Sequence, residues 1–115
     1  MKTLKFLGVA AALALVWGCD SSDDAQPLPS NIATIISQNC GSCHGDPTAN
    51  DAPYPIVNCD DVLAASPSGG TVLSAIQARI NTDDAALVMP PGSPLADGPL
   101  DALNAWIADG APPCE

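Results

Sequence analysis

Gln38-Asn39-Cys40-Gly41-Ser42-Cys43-His44-Gly45-Asp46-Pro47 spaces two cysteines three apart and sets a histidine directly behind the second. A CxxC pair is read as a haem attachment site, as a redox dithiol, or as half of a zinc site. The segment in front of it is helical in pattern. Ile32, Ile35 and Ile36 recur at helical spacing, with Ser30 or Asn31 as the expected N-cap, so the motif ends a helix. The stretch behind it, Gly45 to Pro55, is rich in Pro, Asn and Asp and reads as loop.

At 115 residues the chain has room for one small domain. Residues 1–18 read as an export signal. Lys2 and Lys5 precede an apolar run from Phe6 to Val16, which is short for a membrane span. The run closes on Val16-Trp17-Gly18-Cys19, similar to a bacterial lipobox in which the cysteine receives diacylglycerol, although Trp17 replaces the usual small residue. The plainer alternative is a secretory signal with Cys19 incidental. Residues 19–30, acidic and then proline-containing, read as acylated cysteine and flexible linker, leaving 31–115 as the folded domain. On either reading the domain is exported, where disulfides are permitted; with the lipid it is anchored to a bacterial membrane and faces the periplasm or the cell surface.

Without its first 18 residues the chain keeps one cation, Arg79, against 13 acids, a net charge of −12. That balance excludes a nucleic-acid partner and a docking ring of lysines. It suits either a protein partner with a basic patch or solubility alone. Only Tyr54 and Trp106 remain as aromatics beyond residue 18, so a chain this small needs a disulfide, metal or cofactor to complete its core.

Further helices are expected as a short turn capped by Asp60 or Asp61 through Ala65, from Thr71 to Asn81 with Val72, Ile76 and Ile80 on one face, and from about Pro99 to Gly110 with Leu100, Leu103 and Ile107 in a stripe beside Trp106. Residues 89–99, MPPGSPLADGP, cannot be regular structure. No strand pattern or repeat is visible. The fold class is therefore all-α, three to four short helices with long loops, and ordered loops of that length normally surround a ligand.

Five cysteines must each be housed. If Cys19 is lipidated and Cys40 and Cys43 form thioethers to haem, Cys59 and Cys114 remain to form one disulfide. The zinc reading would use Cys40, Cys43, Cys59 and Cys114 as thiolates. It lacks a second close pair and leaves His44 unexplained. The dithiol reading expects the motif to open a helix after a strand, whereas here it ends a helix. Haem c fits best: two intervening residues let both sulfurs reach one haem edge, and the next residue falls beneath the iron. His44, the single histidine, is then the proximal ligand, with its other ring nitrogen donating to a backbone carbonyl in the loop holding Pro47, Pro53 and Pro55. Apart from Met1 the only methionine is Met89, heading Met89-Pro90-Pro91-Gly92, which makes it the distal iron ligand. A thioether there raises the reduction potential relative to two histidines.

With these pieces in place the chain resembles a small mono-haem class I c-type cytochrome in a lipoprotein form. The resemblance rests on Cys40-Gly41-Ser42-Cys43-His44-Gly45, on Met89-Pro90-Pro91 and on Leu103-Asn104-Ala105-Trp106-Ile107-Ala108-Asp109-Gly110-Ala111-Pro112. It implies a first and a last helix that cross and pack, Trp106 against the Ile32/Ile36 face or the haem edge, and one covalent haem between helices and loops. Cys59 and Cys114 depart from the basic pattern and resemble the cysteine pair of lipoprotein cytochromes with a C-terminal disulfide. The expected function is one-electron transfer to redox protein partners, without catalysis. Arg79 either pairs with a haem propionate or with surface acids. Two alternatives belong to other classes: a haem enzyme or gas sensor of peroxidase-like type, with Met89 off the iron and Arg79 as the only distal candidate, and a haem-free exported domain stabilised by a disulfide or zinc.

Overall fold

The computed structural model describes residues 25–114. The export signal, Cys19 and the start of the acidic tether lie outside the described residues. Five helices succeed one another: α1 (Ser30–Asn39), α2 (Gly41–His44), α3 (Cys59–Leu63), α4 (Val72–Ile80) and α5 (Asp97–Ala108). Among the described residues there is no strand, only two isolated bridges, Pro27 with Asn58 and Ala65 with Thr71. The all-α reading holds, with one short helix more than expected, because the CxxCH motif itself coils into α2.

The core is built from the faces that the apolar spacing marks. Ile32 and Ile36 of α1, Val72 and Ile80 of α4, and Leu103 and Trp106 of α5 are buried in one cluster with Leu28, Ile56, Val62 and Leu95. Helix α5 packs on both α1 and α4, and α3 packs on α4. The stripes are shifted slightly from expectation. On α4, Ala75 is buried and Ile76 only half-buried; on α5, Trp106 takes the inward place and Leu100 and Ile107 flank it. Trp106 Nε1–H donates to Pro112 O at 2.8 Å, so its ring is buried with its polar atom satisfied.

Helix ends correct several expectations. Helix α1 begins at Ser30 itself, with Pro29 as N-cap and no side-chain cap. Residues 26–28 are not free linker: Leu28 is buried, and Gln26 O accepts from Cys59 N–H at 2.9 Å. Helix α3 is capped by Asn58, not by Asp60 or Asp61. Asn58 Oδ1 accepts from Asp61 N–H while the Asp61 carboxylate accepts from Asn58 N–H, a reciprocal capping box. Thr71 and Ser74 do the same for α4. Helix α5 starts at Asp97, two residues earlier than expected, which places Pro99 third in the helix, where its missing N–H is one the helix leaves unpaired anyway. It stops at Gly110 as expected. Gly110 has φ 90°, Gly110 N–H donates to Ile107 O, and Ala111 N–H donates to Trp106 O, the two bonds of a Schellman turn. That turn sends the chain back to Cys114, which is joined to Cys59 by a disulfide.

Candidate cofactor site

The motif turns tightly at the junction of α1 and α2. Cys40 N–H donates to Ile36 O at 2.7 Å, closing α1, and His44 N–H donates to Cys40 O at 2.8 Å, closing α2. The loop after His44 wraps back over this turn. Ala49 N–H bonds Cys43 O at 2.9 Å, and Ile56 N–H bonds His44 O at 2.8 Å. The wrapped loop brings the Tyr54 carbonyl to the imidazole, with His44 Nδ1 and Tyr54 O 2.8 Å apart. A carbonyl oxygen only accepts, so Nδ1 carries the proton, and the neutral ring then presents the Nε2 lone pair, the tautomer a metal ligand needs. The rings of His44 and Tyr54 also lie against each other, centroids 5.3 Å apart. The orienting carbonyl therefore belongs to Tyr54, between Pro53 and Pro55 in the loop expected to supply it.

The sequence-predicted residues meet on one surface. A cleft of about 420 Å³ is lined by Cys40, Cys43, His44, Met89, Pro90 and Pro91, together with Asn50 and Pro53. A smaller cavity of about 200 Å³ shares His44, Pro53 and Met89 with it and adds Tyr54, Ser66, Ser68 and Arg79. Together they fall in the range of about 300–1,000 Å³ typical of small-molecule and cofactor sites. A larger open groove of about 520 Å³ runs along α1 past Leu28 and Ile56, and His44 is the only predicted ligand on it. The predicted ligands gather on the first two.

Cys40 and Cys43 carry free thiols, both half-buried. Burial pushes the Cys40 thiol above its ordinary range, and the neighbouring Cys43 adds to this. A redox dithiol needs its leading cysteine shifted the other way. Cys43 Sγ accepts from Asn50 Nδ2–H at 3.4 Å. The four-thiolate zinc set is not available, since Cys59 and Cys114 are bonded to each other and each is 2% exposed, in the core away from this cleft. Among the described residues no cluster of three or more His, Cys, Asp or Glu side chains is placed to hold a metal ion by themselves.

The residues fit a covalently attached haem. Two thiols stand on the wall of the cleft that also exposes His44 and Met89, and the imidazole is already oriented by its second nitrogen. Met89 is set by its backbone, with Met89 N–H donating to Arg79 O at 3.0 Å, and by Pro90 and Pro91 after it. Three features of the site have no counterpart in the sequence reading: Tyr54, acting through its carbonyl, Asn50, and the Ser66/Ser68 pair, whose hydroxyls bond at 2.9 Å. Tyr54 leaves one signal, as the only aromatic in the loop after His44. No protein-family model, curated protein or solved structure matches this chain.

Proposed function

We propose that the chain is a mono-haem c-type cytochrome that carries single electrons between redox protein partners. Cys40 and Cys43 hold haem c covalently, His44 is the proximal iron ligand and Met89 the distal one. The bound group supplies one redox centre that alternates between Fe(III) and Fe(II). The single observation that carries this reading is the His44 Nδ1–Tyr54 O bond of 2.8 Å beside two free thiols, on a cleft that Met89 also lines. With His44 and Met89 both serving as ligands the haem would keep no open position for a substrate, which favours electron transfer over catalysis. Cys19 anchors the protein to the membrane by its lipid, the domain stands in the periplasm or at the cell surface, and its excess of acids selects partners with a basic docking surface. The second reading, a peroxidase-like haem enzyme or gas sensor, is favoured by Arg79 lining the cavity beside Met89.

Production in a host with the c-type maturation system tests both. The expected product carries haem that survives denaturing electrophoresis, is lost in Cys40→Ala/Cys43→Ala, and shows in the oxidised state a weak far-red sulfur-to-iron band that Met89→Ala abolishes. A colourless wild type overturns the haem reading, and a wild type that binds carbon monoxide readily overturns Met89 as ligand in favour of the second reading. Acyl labelling lost in Cys19→Ala checks the anchor.

A further inference from the structure

Arg79 is the only lysine or arginine beyond residue 5, and among the described residues its side chain bonds a backbone carbonyl, Leu87 O. It grips the methionine loop from two sides. Its carbonyl accepts from Met89 N–H at 3.0 Å, and its Nη1–H donates to Leu87 O at 3.3 Å. Between these points the chain is a compact turn, in which Leu87 and Val88 N–H both reach Asp84 O at 2.9 Å and Ala86 N–H reaches the Asp84 carboxylate at 2.9 Å. Asp84 N–H in turn bonds Thr82 Oγ1 at 3.2 Å. After Met89 the two prolines offer no N–H, and the bond that Pro90 O accepts from Ser93 N–H at 3.3 Å stays within the loop. The position of the thioether is thus set from the N-terminal side, and the last turn of α4 sets it. The Arg79 side chain is half-buried on the same cavity as His44 and Met89.

We infer that Arg79 is a positioning residue for Met89, clamping residues 87–89 to the end of α4 so that the thioether stays on the cavity that His44 also lines. The inference rests on the ligand set proposed above. It makes Arg79 the residue that decides how easily an outside ligand replaces Met89. Its guanidinium acts through the Leu87 carbonyl, and its charge is secondary.

The test is a two-by-two set on the holoprotein: wild type, Arg79→Ala, Met89→Ala and the double variant, each titrated with imidazole in the oxidised state. Removing this one exposed side-chain hydrogen bond while the backbone bond remains is expected to tighten imidazole binding a few-fold in Arg79→Ala, and Arg79→Lys to recover part of the loss. In the Met89→Ala background the Arg79→Ala change is expected to have no effect, since no thioether is left to displace. Equal binding by wild type and Arg79→Ala overturns the clamp. An equal effect in both backgrounds also overturns it and assigns Arg79 to the charge of the haem pocket. Hydrogen exchange at the Met89 amide, faster in Arg79→Ala, reads the clamp without reference to iron. If the wild type carries no haem, the ligand set fails and that exchange rate alone decides whether Arg79 holds the loop, an unchanged rate overturning it.

Discussion

Asn81 and Asn104 exchange two side-chain hydrogen bonds across the seam between α4 and α5, Asn81 Nδ2–H to Asn104 Oδ1 at 2.8 Å and Asn104 Nδ2–H to Asn81 Oδ1 at 2.9 Å. The second Asn81 amide hydrogen reaches Gln77 O at 2.8 Å, covering an open carbonyl at the end of α4. This pair fixes the turn of α4 from which Arg79 holds the Met89 loop. Asn104→Ala removes both inter-helix bonds at a partly solvated site and is expected to cost about 1 kcal/mol, the usual net value for such bonds. Chemical denaturation of Asn104→Ala, Asn81→Ala and the double variant measures it. Additive losses would mean that the two amides do not cooperate.

The disulfide is the other long-range tie. Cys59 and Cys114 are 55 residues apart in sequence with Cα atoms 5.0 Å apart, and each is 2% exposed. Cys59 opens α3 and is bonded through its N–H to Gln26, so the bridge joins the start of the packed chain, the middle and the end. Closing a loop of this length stabilises the fold by about 4 kcal/mol in the chain-entropy account. The Cys59→Ala/Cys114→Ala variant is expected to unfold at lower denaturant by that order and, on the proposed haem ligation, to retain its sulfur-to-iron band, because neither cysteine lines the cleft of Cys40, Cys43 and Met89. Loss of the band at full folding would show that the bridge shapes the site.

How much of this is legible in the sequence depends on the range of the cause. Ile32/Ile36, Val72/Ile80 and Leu103 mark their helices by local spacing, and all are buried where that spacing puts them. Gly110 ends α5 because its own backbone can take positive φ, again a local cause. The N-cap of α3 is ambiguous in sequence because Asn58, Asp60 and Asp61 are all competent caps. In the structure Asn58 takes the place, because its side chain and that of Asp61 satisfy each other's backbone N–H. Ser30 likewise enters α1 because Leu28 docks into the core ahead of it. The four candidate ligands can be named from residue type. The group that orients His44 cannot, since the Tyr54 carbonyl is a backbone atom whose place depends on how the loop closes. Helix α2 is too short to show a period.

The thiol of Cys40 predicts how the haem-free chain responds to alkali. Its pKa is raised first by burial and then by Cys43. The unfolded chain therefore releases this proton at lower pH than the folded one, and the folded state binds more protons between the two values. Stability that is complete below the ordinary thiol range is lost as pH rises through it toward the raised value. Urea unfolding of the haem-free chain at about pH 7 and about pH 10, on either side of the free thiol value, should show a falling midpoint. The fall should be smaller in Cys40→Ser. An equal fall in that variant would place the sensitive group elsewhere.

Two glycines give opposite expectations for the same substitution. A Cβ on Gly45 would stand 2.9 Å from the Gly41 carbonyl oxygen, and since a Cβ is fixed rigidly to the main chain neither side can yield by rotating a side-chain bond. Gly41 and Gly45 bracket Ser42-Cys43-His44, and relieving the clash must open the turn that holds His44 against Tyr54 O and Ile56 N–H. Gly45→Ala is expected to destabilise by about 1–3 kcal/mol, the range for inserting an atom into a filled space, and to lower the yield of covalently loaded protein. Gly98 lies in the first turn of α5, and a Cβ there meets nothing within 4 Å. Gly98→Ala removes only unfolded-state freedom and should stabilise by about 0.4–1 kcal/mol. Denaturation midpoints and haem content of the two variants, measured together, check the pair. Gly45→Ala matching Gly98→Ala in both would show that the histidine turn has slack, and that Tyr54 rather than the tight Gly41–Gly45 approach sets the imidazole.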